Sequence, residues 1–329
     1  MPASNYGYIN GRVRTMRTEL LDDRVVDEAL GTTSYQEYLR VLSESSLRED
    51  MGDATAQNAG LRELDAALSQ NYLKSVQHLR SVAIGQGQAG RELEALIMRL
   101  DLTNLKTLVR GVQAGRSPED IVGGLIPAGS VAWPVMQAAA NSTDLASLAQ
   151  TLAVGGGALG GVLRQAVAAG VNDPLELEVA LDQGYYRSVI ANVRGVNVRR
   201  YFSREIDVRN LLTALQLRGT GANNRYFVPG GLAVSEADFL RVAGGDSQIG
   251  SAELQPILEA PDLGGAETAA RAILDRAARD IAGSDVLGAG VALDYLRRKE
   301  QEIAKLRLIG RGKFYNLPQD QLRRELNSA

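Results

Sequence analysis

The pattern of apolar and polar positions along the chain is helical almost throughout. Apolar residues recur every three or four positions, and the strict alternation typical of half-buried strands is nearly missing. The pattern therefore predicts an all-α fold. Two helix starts carry capping signals: Ser34 stands three residues before Glu37, as in a capping box, and Asp173-Pro174 fits an N-cap followed by proline.

Two predicted helices carry an asparagine inside their apolar stripe. Asn104 and Asn210 each lie four residues after one apolar residue and four residues before another. A buried amide is costly unless it is hydrogen-bonded, so we expect each asparagine to bond backbone groups and lock neighbouring helices together. Both residues belong to a D-x-x-N-L motif, at 101–105 and at 207–211.

The two asparagine helices belong to a duplicated unit. Segment 64–76 aligns without gaps with segment 177–189, and seven of the thirteen positions are identical. Each copy is followed by an asparagine helix and then by an [IV]-P-[AG]-G break, at 126–129 and at 228–231. A match this dense, in the same order twice, indicates duplication of a whole structural unit.

A third copy is weaker but follows the same order. Its two helices are expected at 267–281 and 295–309, with Glu302 in the asparagine position and Leu317-Pro318 matching the proline breaks. A buried charge at Glu302 would need a cation, and Arg298 is the nearest candidate. Asn104 and Asn210 are 106 positions apart. A repeat of that length favours a compact three-part body over a solenoid, whose units are about 20–50 residues. The predicted domains are 1–140, 141–245 and 246–329.

Composition adds little specific chemistry. The net charge of −3 gives no global field that would attract nucleic acid, and the chain has no cysteine for disulfides or thiolate metal sites. The first sixteen residues lack the apolar core of a signal peptide, so we expect an intracellular protein. Segment 121–163 carries a single charge, Asp144, but its prolines and glycines cut it into short pieces, so no membrane span is expected.

Motifs that could support catalysis or cofactor binding are weak. Segments 85–90 and 155–160 match the dinucleotide pattern G-x-G-x-x-G, but neither follows a predicted strand, so both are interpreted as turns between helices. His78 is the only histidine, and no metal or other cofactor is expected. An enzyme that uses one of the glycine loops remains an alternative, which binding of NAD or ATP would reveal.

Two segments are rich in cations, at 187–209 and 297–313. They are either solvated helix faces or surfaces for an acidic partner or a membrane; nucleic acid is not expected, because aromatic residues are sparse there. The candidate partner-facing residues are Arg199, Arg200, Arg297, Arg298 and Lys299.

The motifs in this order resemble a known family. The opening Tyr8-Ile-Asn10-Gly-Arg12-Val-Arg14, the two D-x-x-N-L helices and the [IV]-P-[AG]-G breaks are similar to the C subunit of the V/A-type (vacuolar/archaeal-type) ATPase, whose eukaryotic counterpart is the d subunit of the V-ATPase. The resemblance covers the whole chain.

The resemblance implies both a shape and a role. Members of the family are all-helical funnels of three related domains about a pseudo-threefold axis. It implies a non-catalytic rotor subunit of the central stalk that couples the shaft, made of the D and F subunits, to the membrane proteolipid ring. Such a subunit transmits torque in proton-coupled ATP synthesis or hydrolysis, binds no nucleotide directly and lies peripherally at the cytoplasmic face of the membrane. The alternative is a free-standing helical repeat adaptor of another complex.

Overall fold

The computed structural model describes residues 6–52, 54 and 60–328. These residues form sixteen α-helices and a 3-10 helix, and none of them lies in a β-strand, which confirms the predicted all-α class. Within the same residues, the helices are all too short or too polar to cross a bilayer.

The helices follow one another with short connections. In chain order they are α1 (Tyr6–Arg17), α2 (Asp23–Gly31), α3 (Tyr35–Ser43), α4 (Leu61–Ala83), α5 (Gly87–Gln113), α6 (Pro118–Gly123), α7 (Trp133–Ala140), α8 (Leu145–Gly155), α9 (Gly157–Ala168), α10 (Pro174–Asn192), α11 (Val196–Gln216), a 3-10 helix (Asn224–Tyr226), α12 (Glu236–Ala243), α13 (Gln255–Leu258), α14 (Leu263–Ser284), α15 (Gly290–Phe314) and α16 (Gln319–Ser328).

The predicted helix starts are present. Ser34 Oγ accepts a hydrogen bond from the amide of Glu37 and caps α3, while Asp173 caps α10 with Pro174 as the first helical residue. The two glycine segments that resemble a dinucleotide motif are turns and helix starts between α4 and α5 and between α8 and α9. No strand precedes either segment within the described residues, which confirms the interpretation as turns between helices.

Three long helical hairpins, α4–α5, α10–α11 and α14–α15, form the framework. The first helix of each hairpin packs against the second helix of another: α10 against α5, α14 against α11, and α4 against α15. These contacts run in a closed cycle, so each hairpin touches both others. We call α5, α11 and α15 the central helices, and the three cyclic contacts the seams.

The N-terminal helices α2 and α3 pack against α15 of the third hairpin. Around α5 lie α6, α7 and α8, and around α15 lie α16, α2 and α3, with the same pattern of neighbours in both groups. The match extends to single residues, because Gly111 of α5 lies against Ile121 of α6 as Gly312 of α15 lies against Leu322 of α16. The third unit is thus assembled from both ends of the described chain. The predicted domain boundaries and the funnel shape stay predictions.

Candidate functional site

Two asparagines hold the loops that precede α7 and α12. Asn104 Nδ2 donates to the carbonyl oxygen of Ile126 at 2.8 Å, and its Oδ1 accepts from the amide of the same residue at 2.8 Å. Asn210 makes the same two bonds with Val228, both at 2.8 Å. Each side chain thus pairs both backbone groups of the residue before a proline. The bonds fix a loop within one repeat, which corrects the expectation that they would lock neighbouring helices together.

The aspartate of each D-x-x-N motif caps the next part of the same loop. The Asp101 carboxylate accepts from the amides of Ser130 and Val131 at 2.9 and 3.0 Å. The Asp207 carboxylate accepts from three consecutive amides, at 232–234, over 2.9–3.1 Å. Each loop is therefore held at two points by one turn of a central helix.

Glycine lets these loops approach the carboxylates closely. A Cβ atom on Gly129 would overlap the carboxylate of Asp101, and one on Gly231 would overlap that of Asp207. The close approach also removes water: burial raises the pKa of Asp207, although the three amide hydrogen bonds act in the opposite direction.

Glu302 occupies, in the third repeat, the position that Asp101 occupies in the first. The sequence pattern predicts Glu302 at the asparagine position instead, so the expected register of the third repeat was wrong by three residues. Glu302 Oε2 accepts from the amide of Leu21 at 2.7 Å, in the loop before α2. Asp101 and Glu302 are 201 positions apart, the spacing that also relates the matching glycines of α5 and α15. Lys305 takes the asparagine position. No asparagine is needed there, because α16 and α2 are not joined by a continuous loop.

Two of the five candidate partner-facing cations are buried inside the chain. Arg297 is 7% exposed and pairs with Asp275, and Lys299 is 3% exposed and pairs with Glu302. Lys299 therefore supplies the cation that Glu302 needs. Both side chains face the chain's own carboxylates, which corrects their assignment as partner-facing.

The other three candidate cations remain accessible. Arg298 Nε donates to Asp294 Oδ2 at 2.8 Å and keeps part of its side chain in solvent, so its expected pairing with Glu302 was wrong. Arg199 and Arg200 are exposed in the first two turns of α11. A partner-facing role for these three stays a prediction.

The central helices contribute charged residues at equivalent positions. Arg99 of α5, Glu205 of α11 and Glu300 of α15 line one small cavity between the three helices. Arg99 Nη1 lies 3.2 Å from Glu300 Oε2, and Tyr72 donates to Glu300 Oε1 at 3.1 Å. The carboxylate of Glu300 raises the pKa of Arg99, so the guanidinium stays charged. Polar contacts therefore join the repeats where they meet.

The seam between α5 and α10 carries a buried ionic cluster. Lys106 Nζ lies 2.6 Å from Asp182 Oδ1, and Arg209 Nε lies 3.4 Å from Asp182 Oδ2. Arg110 pairs with Glu178 one turn away. Burial lowers the pKa of Lys106, although the attraction of Asp182 acts in the opposite direction.

The seam between α15 and α4 carries an equivalent but more exposed cluster. Arg307 Nε lies 3.2 Å from Asp65 Oδ1, and its Nη2 donates to Ser69 Oγ at 2.7 Å. Arg311 Nη2 lies 3.4 Å from Asp65 Oδ2. Arg307 and Arg311 stand 201 positions after Lys106 and Arg110, so both seams use one arrangement.

The turns of the three long hairpins meet at one end of the assembly. Glu92 accepts from the amides of Arg194 and Gly195 at 2.7 and 3.1 Å, which ties the start of α5 to the second turn. Tyr6 of α1 donates to Glu92, and Asn10, one helical turn later, donates to two carbonyls of the third turn. We call these three turns, residues 84–86, 193–196 and 285–289, the turn end.

The turn end exposes apolar side chains from each hairpin. Ile84 is 76% exposed, Val196 65%, and Val286 and Leu287 47% and 68%. Large apolar side chains at equivalent places, left uncovered by the residues that the structure describes, are typical of a surface that another protein covers.

The single histidine and the acidic side chains do not form a metal-binding cluster among the described residues. His78 is exposed, with Nε2 3.0 Å from Arg12 Nη2. Within the part of the chain that the structure describes, no group of three or more His, Asp and Glu side chains is placed to hold a metal ion. The buried polar groups described above make structural contacts instead.

Known proteins resemble this chain over nearly its whole length. Residues 9–325 match the family described as ATP synthase (C/AC39) subunit. The chain is 52% identical to the C subunit of the V-type ATP synthase of Deinococcus radiodurans, over 98% of this chain and 92% of that protein. It is 32% identical to the C subunit of the V-type ATP synthase of Thermus thermophilus, over 98% and 99%. It is 25% identical to the C subunit of the A-type ATP synthase of Methanococcoides burtonii, over 98% and 94%.

Proposed function

Because this chain belongs to the ATP synthase (C/AC39) subunit family, we propose that it is the coupling subunit in the rotor of a V/A-type ATPase. It receives the tip of the shaft of the D and F subunits and rests on the membrane proteolipid ring. It passes torque between them in proton-coupled ATP synthesis or hydrolysis and takes no part in the chemistry. It works at the cytoplasmic face of the membrane and reaches the bilayer only through the ring.

The closed cycle of seams is the observation that carries this proposal. A part that transmits torque has to resist twisting, and each hairpin here is packed against both others. Side chains in a close-packed interior transmit strain instead of yielding to it. The ionic clusters at two seams add directional contacts across the surfaces that torque would shear.

We propose that the turn end rests on the proteolipid ring. It presents apolar side chains from all three hairpins, so its contacts are spread around the axis, as a ring-shaped partner requires. Arg199 and Arg200 lie close to it, in the first two turns of α11, and would favour an acidic rim. The opposite end is then left for the shaft.

A coupling assay tests the role. ATPase assembled into vesicles without this chain should still hydrolyse ATP through its peripheral subunits but should not drive proton uptake. Adding the purified chain should restore proton uptake. Undiminished pumping without the chain would refute the proposal, and absence of the chain from purified ATPase would favour the free-standing adaptor.

A surface variant tests the orientation. In Ile84→Asp/Leu287→Asp, two exposed apolar contacts become charged, so binding to the isolated proteolipid ring should weaken at least tenfold while binding to the D/F shaft is kept. Val154→Asp is the matched control, because Val154 is 92% exposed and lies on α8. Loss of shaft binding with ring binding retained would reverse the orientation.

A further inference from the structure

Two buried polar atoms beside one cavity lack a partner. The hydroxyl of Tyr185 and Oε2 of Glu205 are both inaccessible to solvent, and neither has a hydrogen-bond partner among the described residues. Both residues line the small cavity between the three central helices. An unsatisfied buried polar atom costs free energy, and two beside one cavity call for a common occupant.

The repeat explains why Tyr185 lacks an acceptor. It holds on α10 the place that Tyr72 holds on α4, and Tyr72 donates directly to Glu300 at 3.1 Å. The residue equivalent to Glu300 beside Tyr185 is Arg99. A guanidinium has donors only, so it cannot accept the tyrosine proton. Burial raises the pKa of Tyr185, so the hydroxyl keeps that proton and still needs an acceptor.

We propose that one ordered water molecule fills this cavity, accepting from the Tyr185 hydroxyl and donating to Glu205 Oε2. The cavity volume is about 20 Å³, and a single water needs about 10–15 Å³ together with two to four polar partners. Arg99 supplies a third partner as a donor. The water replaces, in the second repeat, the direct contact that Tyr72 makes with Glu300 in the seam between α15 and α4.

A metal cation fits this cavity less well than water. Two guanidinium groups, of Arg99 and Arg297, and two carboxylates, of Glu205 and Glu300, line it, so the charges of the lining already balance without a further cation. The occupant is therefore neutral. Because it bridges α10 and α11 beside α5, its removal should loosen the centre of the assembly.

Crystallography of the full chain tests the site directly. At a resolution that shows ordered waters, we expect one peak within hydrogen-bond distance of both Tyr185 Oη and Glu205 Oε2. An empty cavity would overturn the proposal. So would an anomalous peak at this place after soaking with rubidium, since that would identify a cation site.

A pair of tyrosine variants tests whether the Tyr185 hydroxyl is hydrogen-bonded. The sign of the change in Tm distinguishes a bridged hydroxyl from an unpartnered one. If water bridges the hydroxyl, Tyr185→Phe breaks a satisfied contact and should lower the Tm by about 1–3 °C. If the hydroxyl is unpartnered, the same change removes a buried unsatisfied group, and an equal or higher Tm would overturn the proposal. Tyr72→Phe is the reference, because its hydroxyl has a protein acceptor and its Tm should fall. Should Tyr185→Phe fail to fold, the density in the unaltered chain decides. These measurements use the isolated chain and do not depend on the rotor role.

Discussion

An asparagine side chain carries an amide donor group and a carbonyl acceptor, and the distance between them is nearly that between the N–H and C=O groups of a peptide. This chain uses that property twice, at Asn104 and Asn210, to give the residue before a proline both of its backbone hydrogen bonds. The proline that follows cannot donate, so the loop has few other ways to pair its backbone. The side chain thus supplies the two hydrogen bonds that a neighbouring strand would supply to this residue in a sheet.

Replacing either asparagine by alanine should therefore be costly. Asn104→Ala or Asn210→Ala leaves a buried amide and carbonyl unpaired and should lower the free energy of unfolding by about 1–3 kcal/mol. Urea denaturation followed by circular dichroism measures this. Asn141→Ala is the control, since Asn141 is exposed and bonds only within its own helix turn, at Gln137. Two alanine variants as stable as the parent would contradict the assigned role.

The sequence predicted where these residues lie but only partly what they bond. An amide in an apolar stripe is visible from periodicity alone, and so is the need for a partner. The partner itself lies about twenty residues away, in a loop whose path no periodic signal describes. Glu302 was placed in the wrong register because a third copy with few identities can be shifted by three or four residues without breaking its apolar pattern.

At the scale of helices, two seams repeat one ionic arrangement at different depths. In the first seam, Asp182 is 1% exposed and lies between Lys106 and Arg209. In the other seam, Ser69 stands at the place of Asp182, and the charge is carried by Asp65, which is about a third exposed. Removing a charge partner costs more where water cannot replace it.

The two seams should therefore respond differently to the same change. Asp182→Ala strands the buried ammonium of Lys106 and should lower the free energy of unfolding by about 3–5 kcal/mol. Asp65→Ala breaks an exposed pair and should cost about 0–1 kcal/mol. Paired urea titrations of the two variants measure the difference. Equal costs would mean that solvent screens the charges of the first seam as well as those of the second.

Individual helices were predictable, and their pairing was not. Caps such as Ser34 and Asp173 act within three residues, so the sequence displays them directly. Seam residues such as Lys106 and Asp182 lie 76 positions apart, and either one alone is typical of a charge on a solvated helix face. The same limit applies to Arg297, whose partner Asp275 lies 22 positions away. Lys299 is different: Glu302 is only three positions along the same helix, and what the sequence did not reveal is that this pair is buried.

At the scale of the molecule, buried tyrosines should set the alkaline limit of stability. Burial raises the pKa of eight tyrosines above the usual value of 10.0; they are Tyr6, Tyr35, Tyr38, Tyr72, Tyr185, Tyr186, Tyr201 and Tyr295. Above pH 10 the unfolded chain loses these protons while the folded chain keeps them. The unfolded state then binds fewer protons, so the free energy of unfolding falls as pH rises. Lys106 and Lys313, whose pKa values are lowered by burial, act in the opposite direction but are fewer.

Stability should therefore fall steeply above pH 10. Between pH 9 and pH 11 we expect the free energy of unfolding to fall progressively, because above pH 10 each buried tyrosine contributes up to about 1.4 kcal/mol per pH unit. Urea titrations across this range measure the slope. Tyr186→Phe should make it shallower, whereas Tyr8→Phe should not, because Tyr8 is 50% exposed. An unchanged slope in Tyr186→Phe would show that this hydroxyl is ionised equally in both states.

The way α2 and α3 complete the third unit has a consequence for biosynthesis. The amide of Leu21 can donate to the carboxylate of Glu302 only after Glu302 has been synthesised, 281 residues later. At a ribosomal rate of about 5–20 residues per second, that delay is roughly 15–60 s. During it, apolar side chains such as Tyr38 and Leu42, both buried in the finished protein, have no α15 to cover them. Until its last helices emerge, the front of the nascent chain therefore exposes apolar surface, and we expect it to be prone to aggregation during that interval.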